Sequence, residues 1–231
     1  MTRFDGTDLT GAVFREADLT GARMYGVLLT GADIDGDIRG LRVNGVLVEP
    51  LIEAELDRQF PVRTTLRSRS VEGLRAAVDA LVAMWEPTLK RAAELSTVDQ
   101  NRSVNEEWSF LQTLRHLVFV TDAWFGHAVL GSPGGFHPYG LPSFFNGATL
   151  GLDASAAPTL AEISAVRAQR WDGVREFLAQ ADQAEVERVR LPNPAPGWPP
   201  PGERTAVQCL HVVFKEEWAH HQFAVRDLDA M

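Results

Sequence analysis

The sequence predicts a mainly α-helical protein in which a bundle of four long helices follows a short segment of five-residue repeats. Large apolar residues recur at every fifth position through the first 36 residues. Beyond residue 70, four long stretches carry apolar residues at helical spacing, and four amphipathic helices in one chain favour a bundle. Two connections rich in Gly and Pro separate the last three of these stretches.

Composition and charge exclude several classes of protein. The 231 residues are 45% hydrophobic and 23% charged, which suits one large domain or one domain with a small appendage. A net charge of −9 argues against a nucleic-acid binder that neutralises phosphates. No stretch approaches the roughly 20 apolar residues that span a bilayer, so no membrane partner is expected. Cys209 is the only cysteine, which excludes an internal disulfide and favours a cytoplasmic location.

The repeats come first in the chain. Mostly small residues lie two positions before each large apolar residue. Neither a helix nor a strand places every fifth residue on one side, whereas a chain that turns a square corner every five residues does so. The large apolar residues of the repeats are Phe4, Leu9, Phe14, Leu19, Met24, Leu29 and Ile34.

With its phrases ADLTG and GADI, the segment 2–36 resembles the pentapeptide-repeat family. The resemblance implies a right-handed quadrilateral β-helix in which four repeats make one coil. Seven repeats then give fewer than two coils, and so short a segment buries too little apolar surface to be stable by itself. We therefore expect it to dock on the rest of the chain.

The next part of the chain is predicted to link the repeats to the helices. Residues 38–48, which follow the repeats, are predicted to be rich in β-structure, with Asn44-Gly45 as a hairpin turn. Pro50 suits the first turn of a short capping helix that ends before Pro61. The predicted divisions are a repeat segment at 1–48, a linker with a capping helix at 49–69, and a helical bundle at 70–231.

The four long helices are predicted from apolar periodicity and from their capping residues. Ser70 is the candidate N-cap of the first, and Pro87 is expected to kink that helix without ending it. The predicted spans are about 71–95, 109–130, 159–180 and 205–229.

The two long connections are predicted to wall a pocket at one end of the bundle. A loop as long as 131–158 is usually functional or disordered, and its aromatic content favours a packed lid. The connection 191–202 is stiffened by its prolines and carries Trp198. The aromatic residues of the longer loop include Phe136, Tyr139, Phe144 and Phe145.

The last predicted helix twice places a carboxylate one turn before a histidine. Glu216 and His220 are four residues apart, as are Glu217 and His221, so each pair lies on one helical face. A carboxylate and an imidazole so placed suit a Zn²⁺-like ion, although surface pairs show the same spacing. The spacing alone does not decide which of the two pairs binds a metal. His116, in the second helix, is either a hydrogen-bonded core histidine or a ligand from a facing helix.

The other histidines and the cysteine are predicted to have no part in the chemistry. We expect His127 and His137 at the surface or in the lid, and His211 in a structural role. Cys209 lies two turns before Glu216, some 10 Å away at a rise of about 1.5 Å per residue. We predict a buried structural cysteine rather than a reacting thiol.

The pattern SFLQTLRHL, then a long insertion, then E-x-W-x-H and RDL in the last helix resembles the DinB-like four-helix superfamily over about residues 62–231. That superfamily includes DNA-damage-inducible DinB proteins and mycothiol-dependent maleylpyruvate isomerases. The resemblance implies an up-down four-helix bundle and a metal held by His116, Glu216 and His220, because E-x-W-x-H is the motif of the isomerase branch. Glu217 and His221 are the alternates, and Glu217 could instead orient a ligand.

The resemblance also implies a function. It points to a divalent metal, Zn²⁺ or alternatively Ni²⁺, and to a low-molecular-weight thiol such as mycothiol as cosubstrate. Two imidazoles and one carboxylate leave a Zn²⁺-like ion with an open position, where a thiol becomes a nucleophile. The expected function is metal-dependent transfer or isomerisation, as by a thiol S-transferase, with a thiol and an electrophile as partners and no nucleic acid.

Other functions and assemblies stay open on the sequence. The chain could be a metal-binding protein without catalysis. It could also be an interaction protein whose repeat segment contacts a partner such as a topoisomerase. A homodimer is open as well, because a bundle can pair through an exposed helical face.

Overall fold

The structure, a computed structural model, describes residues 2–15, 17–131, 135–143, 147–193 and 197–231. Within these residues the chain forms eight α-helices, a π-helix, a 3-10 helix and a two-stranded hairpin. The prediction of a mainly helical protein is therefore confirmed. No described helix combines the length and the apolar content needed to cross a bilayer. The α-helices are α1 Glu49–Gln59, α2 Val62–Leu66, α3 Val71–Ala93, α4 Thr97–Gln100, α5 Phe110–Thr121, α6 Leu160–Gln180, α7 Gln183–Glu187 and α8 Ala206–Asp229.

The four long helices pack against one another in pairs over two clusters of buried apolar residues. Helix α3 packs against α6 and α8, and α5 packs against the same two helices. Leu81 of α3, Leu114 of α5, Val174 of α6 and Val213 of α8 are fully buried between them. Burial of these apolar faces is the main source of stability for such helices. An up-down four-helix bundle and the division of the chain at residues 48 and 69 stay predictions.

Each of the four long helices begins at a hydroxyl N-cap. The Ser70 side chain accepts a hydrogen bond from the first turn of α3. Helices α5, α6 and α8 are capped in the same way by Ser109, Thr159 and Thr205. In each of these caps, the backbone N–H of the N-cap residue donates to the side chain of the Gln or Glu three residues later. Helix α3 continues through Pro87, so this proline does not end it.

The second predicted helix changes its winding after Thr121. It continues as a π-helix over Asp122–His127, in which each turn is wider than in an α-helix. The Asp122 carboxylate is buried there and accepts hydrogen bonds from Arg170 of α6 and from the backbone N–H of His137, each at 2.7 Å. Burial raises the pKa of Asp122, and these two partners oppose that rise.

His127 is buried at the end of this π-helix, so the prediction of a position at the surface or in the lid is wrong. Its ring is 2% exposed and lies 5.6 Å from the ring of Phe136. The backbone of Gly197 lies directly against it, because a Cβ on Gly197 would be 2.0 Å from the His127 ring. His137 is half-buried, and His211 shares a hydrogen bond of 2.8 Å with the Ser68 carbonyl, as a structural histidine would.

The described part of the 131–158 connection is packed against the bundle. Phe136 and Leu152 are buried, and Tyr139 is half-buried. The described part of this connection is therefore packed through some of its apolar side chains, as the aromatic residues predicted, whereas its role as a lid over a pocket stays a prediction. The predicted lid residues Phe144 and Phe145 lie outside the described residues.

Arg115 anchors this connection to α5. Its side chain is buried, and the guanidinium donates hydrogen bonds to the carbonyls of Tyr139, Asp153 and Ala156 at 2.9, 2.6 and 2.6 Å. In return, the Leu141 N–H donates to the Arg115 carbonyl. The Arg115 guanidinium thus satisfies partly buried carbonyls in a connection whose described regular structure is the short 3-10 helix Gly147–Leu150.

The hairpin predicted after the repeats is present. Strands β1 Arg42–Val43 and β2 Val46–Leu47 pair antiparallel across Asn44 and Gly45. Both turn residues have positive φ, 49° and 81°, as a two-residue hairpin turn of this type requires.

The short helix α2 was not predicted. Its buried Arg63 pairs with Glu53 and Asp57 of α1. The two helices therefore form one cross-linked unit between the hairpin and α3.

The repeat segment turns regularly but does not dock as expected. Glycines of the repeats, such as Gly11 and Gly21, lie in turns with positive φ. Every described residue from 2 to 37 is exposed, including the large apolar ones at 43–62%. Its described contact with the helical part is made by Arg15, which donates to two backbone carbonyls. The expectation of a docked stub is wrong for these residues, because no described part of the chain covers their apolar side chains. The quadrilateral β-helix stays a prediction.

Replacing Arg115 tests the anchor of the long connection. Arg115→Met keeps most of the side-chain volume but removes the hydrogen bonds to three partly buried carbonyls. We expect it to lower the free energy of unfolding by about 2–4 kcal/mol, measured by denaturant titration. The control Arg91→Met removes a half-exposed arginine and should cost less than about 1 kcal/mol. Equal losses in the two variants would contradict the anchoring role.

Candidate metal centre

Helices α5 and α8 bring His116, Glu216 and His220 together. One ligand atom from each of the three side chains lies within 4.8 Å of the others. The Glu216 Oε2 atom is 3.6 Å from Nε2 of His116 and 3.3 Å from Nε2 of His220. Among the residues that the structure describes, no other three His, Cys, Asp or Glu side chains bring their ligand atoms within this distance of one another. These are the three residues that the sequence resemblance indicated.

The helical positions explain why the three side chains converge. Glu216 and His220 are one turn apart on α8, so both project from the same face. His116 lies in the middle of α5, which packs against α8. The cluster is therefore built on two helices rather than on loops, which restrains its geometry.

A backbone carbonyl orients the ring of His116. Its Nδ1 atom lies 3.0 Å from the carbonyl oxygen of Leu141 in the long connection. Because a carbonyl only accepts hydrogen bonds, Nδ1 carries a proton and donates it to Leu141, which turns Nε2 toward the Glu216 carboxylate. Metal-binding histidines typically have such a partner on the second ring nitrogen.

The electrostatics of the cluster favour the ligand forms of its side chains. Burial raises the pKa of Glu216, but hydrogen bonds from His116 and His220 outweigh it and hold this pKa well below its usual range. Burial lowers the pKa of His220, and the bond with Glu216 offsets part of that shift. Glu216 is therefore a carboxylate and His220 favours the neutral imidazole, the forms that bind a metal.

Two aromatic side chains flank the cluster. The ring centroid of Trp108 lies 4.7 Å from that of His116 and 6.1 Å from that of His220. The ring centroid of Phe223, three residues after His220 on α8, lies 5.6 Å from that of His220. The sequence analysis missed both residues. The available signal for Trp108 was its position beside Ser109, the N-cap of the helix that carries His116.

The alternate pair on α8 faces the core instead of the cluster. Glu217 is 2% exposed, and its Oε2 atom accepts a hydrogen bond of 2.7 Å from Arg167 of α6. His221 Nε2 lies 2.9 Å from the hydroxyl of Thr88 on α3. Both alternates are thus engaged with other helices, and the structure does not bring them to His116.

Trp218, the middle residue of the E-x-W-x-H motif, packs outside the cluster. Its ring lies 5.8 Å from the ring of Phe60, and the Arg63 guanidinium lies 4.4 Å above it. The motif tryptophan therefore attaches the helices α1 and α2 to α8.

Cys209 is fully buried on α8, as predicted. Burial raises the pKa of its thiol to about 11. At neutral pH this cysteine is a protonated thiol in the core, and it supplies no thiolate.

The donor set fits a Zn²⁺-like ion. Two imidazole nitrogens and one carboxylate oxygen are ligands that Zn²⁺ accepts, and three protein ligands leave a position for another molecule. The partly exposed Glu216 side chain, at 35%, leaves the centre accessible from one side.

Comparisons with known proteins agree with this geometry. A family model described as the DinB superfamily matches residues 46–224, which is more than half of the chain. A model of pentapeptide repeats matches eight copies across residues 2–36. Comparison with curated proteins and with solved structures gave no significant match.

The buried pair of Arg167 and Glu217 can be tested with a double variant. Arg167→Met leaves the Glu217 charge buried without its partner, so we expect the free energy of unfolding to fall by about 3–5 kcal/mol. Arg167→Met with Glu217→Met removes both charges and should recover at least half of that loss. The control Arg175→Met removes a 42% exposed side chain and should change stability by about 0.5 kcal/mol or less. A double variant as unstable as the single one would show that the pair does not hold the helices.

Proposed function

Because the chain belongs to the DinB superfamily and begins with pentapeptide repeats, we propose that it is a metal-dependent enzyme that uses a low-molecular-weight thiol. The reaction would be a transfer to, or an isomerisation of, an electrophilic small molecule. The convergence of His116, Glu216 and His220 carries the proposal.

The three side chains would hold Zn²⁺, or alternatively Ni²⁺. Such an ion, when bound, lowers the pKa of a coordinated thiol and so supplies a thiolate at neutral pH. Glu216 contributes the negative charge of the ligand set, and the Leu141 carbonyl holds the His116 ring so that Nε2 is the nitrogen turned toward the site. His220 contributes the second neutral nitrogen.

The thiol would come from a cosubstrate such as mycothiol. The chain has one cysteine, and Cys209 is buried with its pKa raised to about 11. It therefore has neither the position nor the ionisation of a nucleophile. A cytoplasmic location suits this chemistry, because low-molecular-weight thiols are kept reduced there.

The aromatic walls favour an apolar or aromatic electrophile. Trp108 and Phe223 contact the two histidines, and Phe119 lies 6.2 Å from His116. These faces exclude water from the side of the cluster that they cover and offer apolar surface to a substrate. An up-down order of the four long helices and a quadrilateral coil of the repeats would complete this architecture. A homodimer is compatible with it.

A non-catalytic role is the second candidate. The large apolar side chains of the repeats are exposed, and patches of this kind often mark interaction sites. In this alternative the cluster would bind a metal for stability and the repeats would contact a protein such as a topoisomerase.

Metal analysis of the purified protein tests the ligand set. The wild type should hold about one divalent ion per chain under chelator-free conditions. His116→Ala, Glu216→Gln and His220→Ala should each weaken Zn²⁺ binding more than about 100-fold, because each removes a ligand. His211→Ala is the matched control, since His211 is also half-buried on α8 but bonds to the Ser68 carbonyl. A wild type without stoichiometric metal, or equal loss in His211→Ala, contradicts the proposal.

Thiol consumption tests catalysis separately. The metal-loaded wild type should consume mycothiol in the presence of one or more members of a panel of electrophiles. Glu216→Gln should lower kcat/KM by about 100-fold or more, and His211→Ala should leave it unchanged. Bound metal with neither thiol consumption nor thiol-dependent isomerisation of any electrophile across the panel would reject the enzyme and support the non-catalytic alternative.

A further inference from the structure

The loop that carries Trp108 is held from two sides. We refer to residues 103–108 as the Trp108 loop. It lies between α4 and α5, and its last residue precedes the N-cap Ser109. Within the loop, the Ser103 hydroxyl donates to the Glu107 carbonyl, and the Glu107 N–H donates to the Val104 carbonyl.

One side of the Trp108 loop is held by the repeat segment. The guanidinium of Arg15 donates to the carbonyl of Asn105 at 2.7 Å and to the carbonyl of Glu106 at 2.8 Å. Two nitrogens of the planar guanidinium thus bind the carbonyls of two successive residues. Arginine provides this geometry and lysine does not. These bonds join residues about ninety positions apart in the sequence.

The gripped peptide units have an unusual backbone conformation. Asn105 and Glu106 have φ values of 53° and 60°, in the left-handed region. Asparagine tolerates this region, whereas glutamate adopts it at an energetic cost. A loop that contains two such residues in succession needs external bonds to keep its shape, and Arg15 supplies them.

The other side of the loop is held by the helix of the candidate metal centre. Arg226 of α8 pairs with Glu107 at 2.6 Å. The same guanidinium lies 5.3 Å from the ring of Phe223, which contacts His220. The loop is therefore fixed between the repeat segment and α8, and Trp108 extends from it onto the cluster.

We propose that Arg15 is a positioning residue for the candidate metal centre: it clamps the Trp108 loop from the repeat segment and so holds the indole against His116 and His220. The repeat segment then acts on the centre without touching it. The effect on the centre rests on the proposed function, whereas the clamp itself does not. Anything that displaces the exposed repeats would loosen Trp108 and open the centre.

Fluorine NMR of the full-length protein labelled with 5-fluorotryptophan tests the clamp. The chain has six tryptophans, and Trp108→Phe identifies the Trp108 resonance by its loss. Arg15→Ala should shift or broaden that resonance and leave the other five in place. The matched control Arg23→Ala, which removes another exposed arginine of the repeats, should move none of them. An unmoved Trp108 resonance in Arg15→Ala would overturn the clamp.

Release of Zn²⁺ to a chelator tests the effect on the centre. Arg15→Ala and Trp108→Phe should each release the ion about threefold faster or more than the wild type, and Arg23→Ala should match the wild type. Unchanged release in Arg15→Ala, despite a moved Trp108 resonance, would overturn the positioning role. A wild type that binds no Zn²⁺ would reject the proposed function, and the NMR result would still decide whether Arg15 holds Trp108.

Discussion

The rotation of α8 about its own axis is the constraint on which the candidate metal centre depends. A helix that carries carboxylates at two successive positions presents them about 100° apart, so one rotation decides which of them meets α5. Glu217 is buried against Arg167 of α6, and an unpaired carboxylate in that place would be strongly unfavourable. The ion pair therefore holds α8 with Glu217 toward the core. Glu216 and His220 are left on the face toward α5 and His116.

The long connection supplies the second support. Adjacent residues of α5 use it in different ways: Arg115 binds its carbonyls, and His116 donates to the carbonyl of Leu141. The loop is thereby fixed to the same turn of helix whose histidine it orients. A ligand set of this kind needs little rearrangement to bind an ion, because its helices and its hydrogen-bonding partners are already in place. Arg15 and the Trp108 loop add a wall to the same centre from a part of the chain that is otherwise exposed.

The four long helices and the convergence of His116, Glu216 and His220 could be predicted from the sequence because both depend on local spacing and on a family pattern. The choice between the pairs that begin at Glu216 and Glu217 could not be made from spacing alone, since it depends on Arg167, nearly fifty residues away on another helix. His127 was misassigned because its burial comes from a π-helix and from the backbone of Gly197, which no local pattern reveals. Trp108 was missed although it precedes the N-cap Ser109, because its contact with the two histidines depends on a loop that is held by distant partners. Docking of the repeats on the helices was wrongly expected, because the five-residue apolar period predicts how the segment turns but not which part of the chain covers its apolar side chains.

A crystal structure with anomalous data at the zinc edge tests the central claim most directly. The account predicts one strong anomalous peak within about 2.0–2.2 Å of Nε2 of His116, Nε2 of His220 and a carboxylate oxygen of Glu216. Glu217 should remain paired with Arg167 in that structure. A peak ligated by Glu217 or His221, or a zinc-loaded crystal with no peak between α5 and α8, would contradict it.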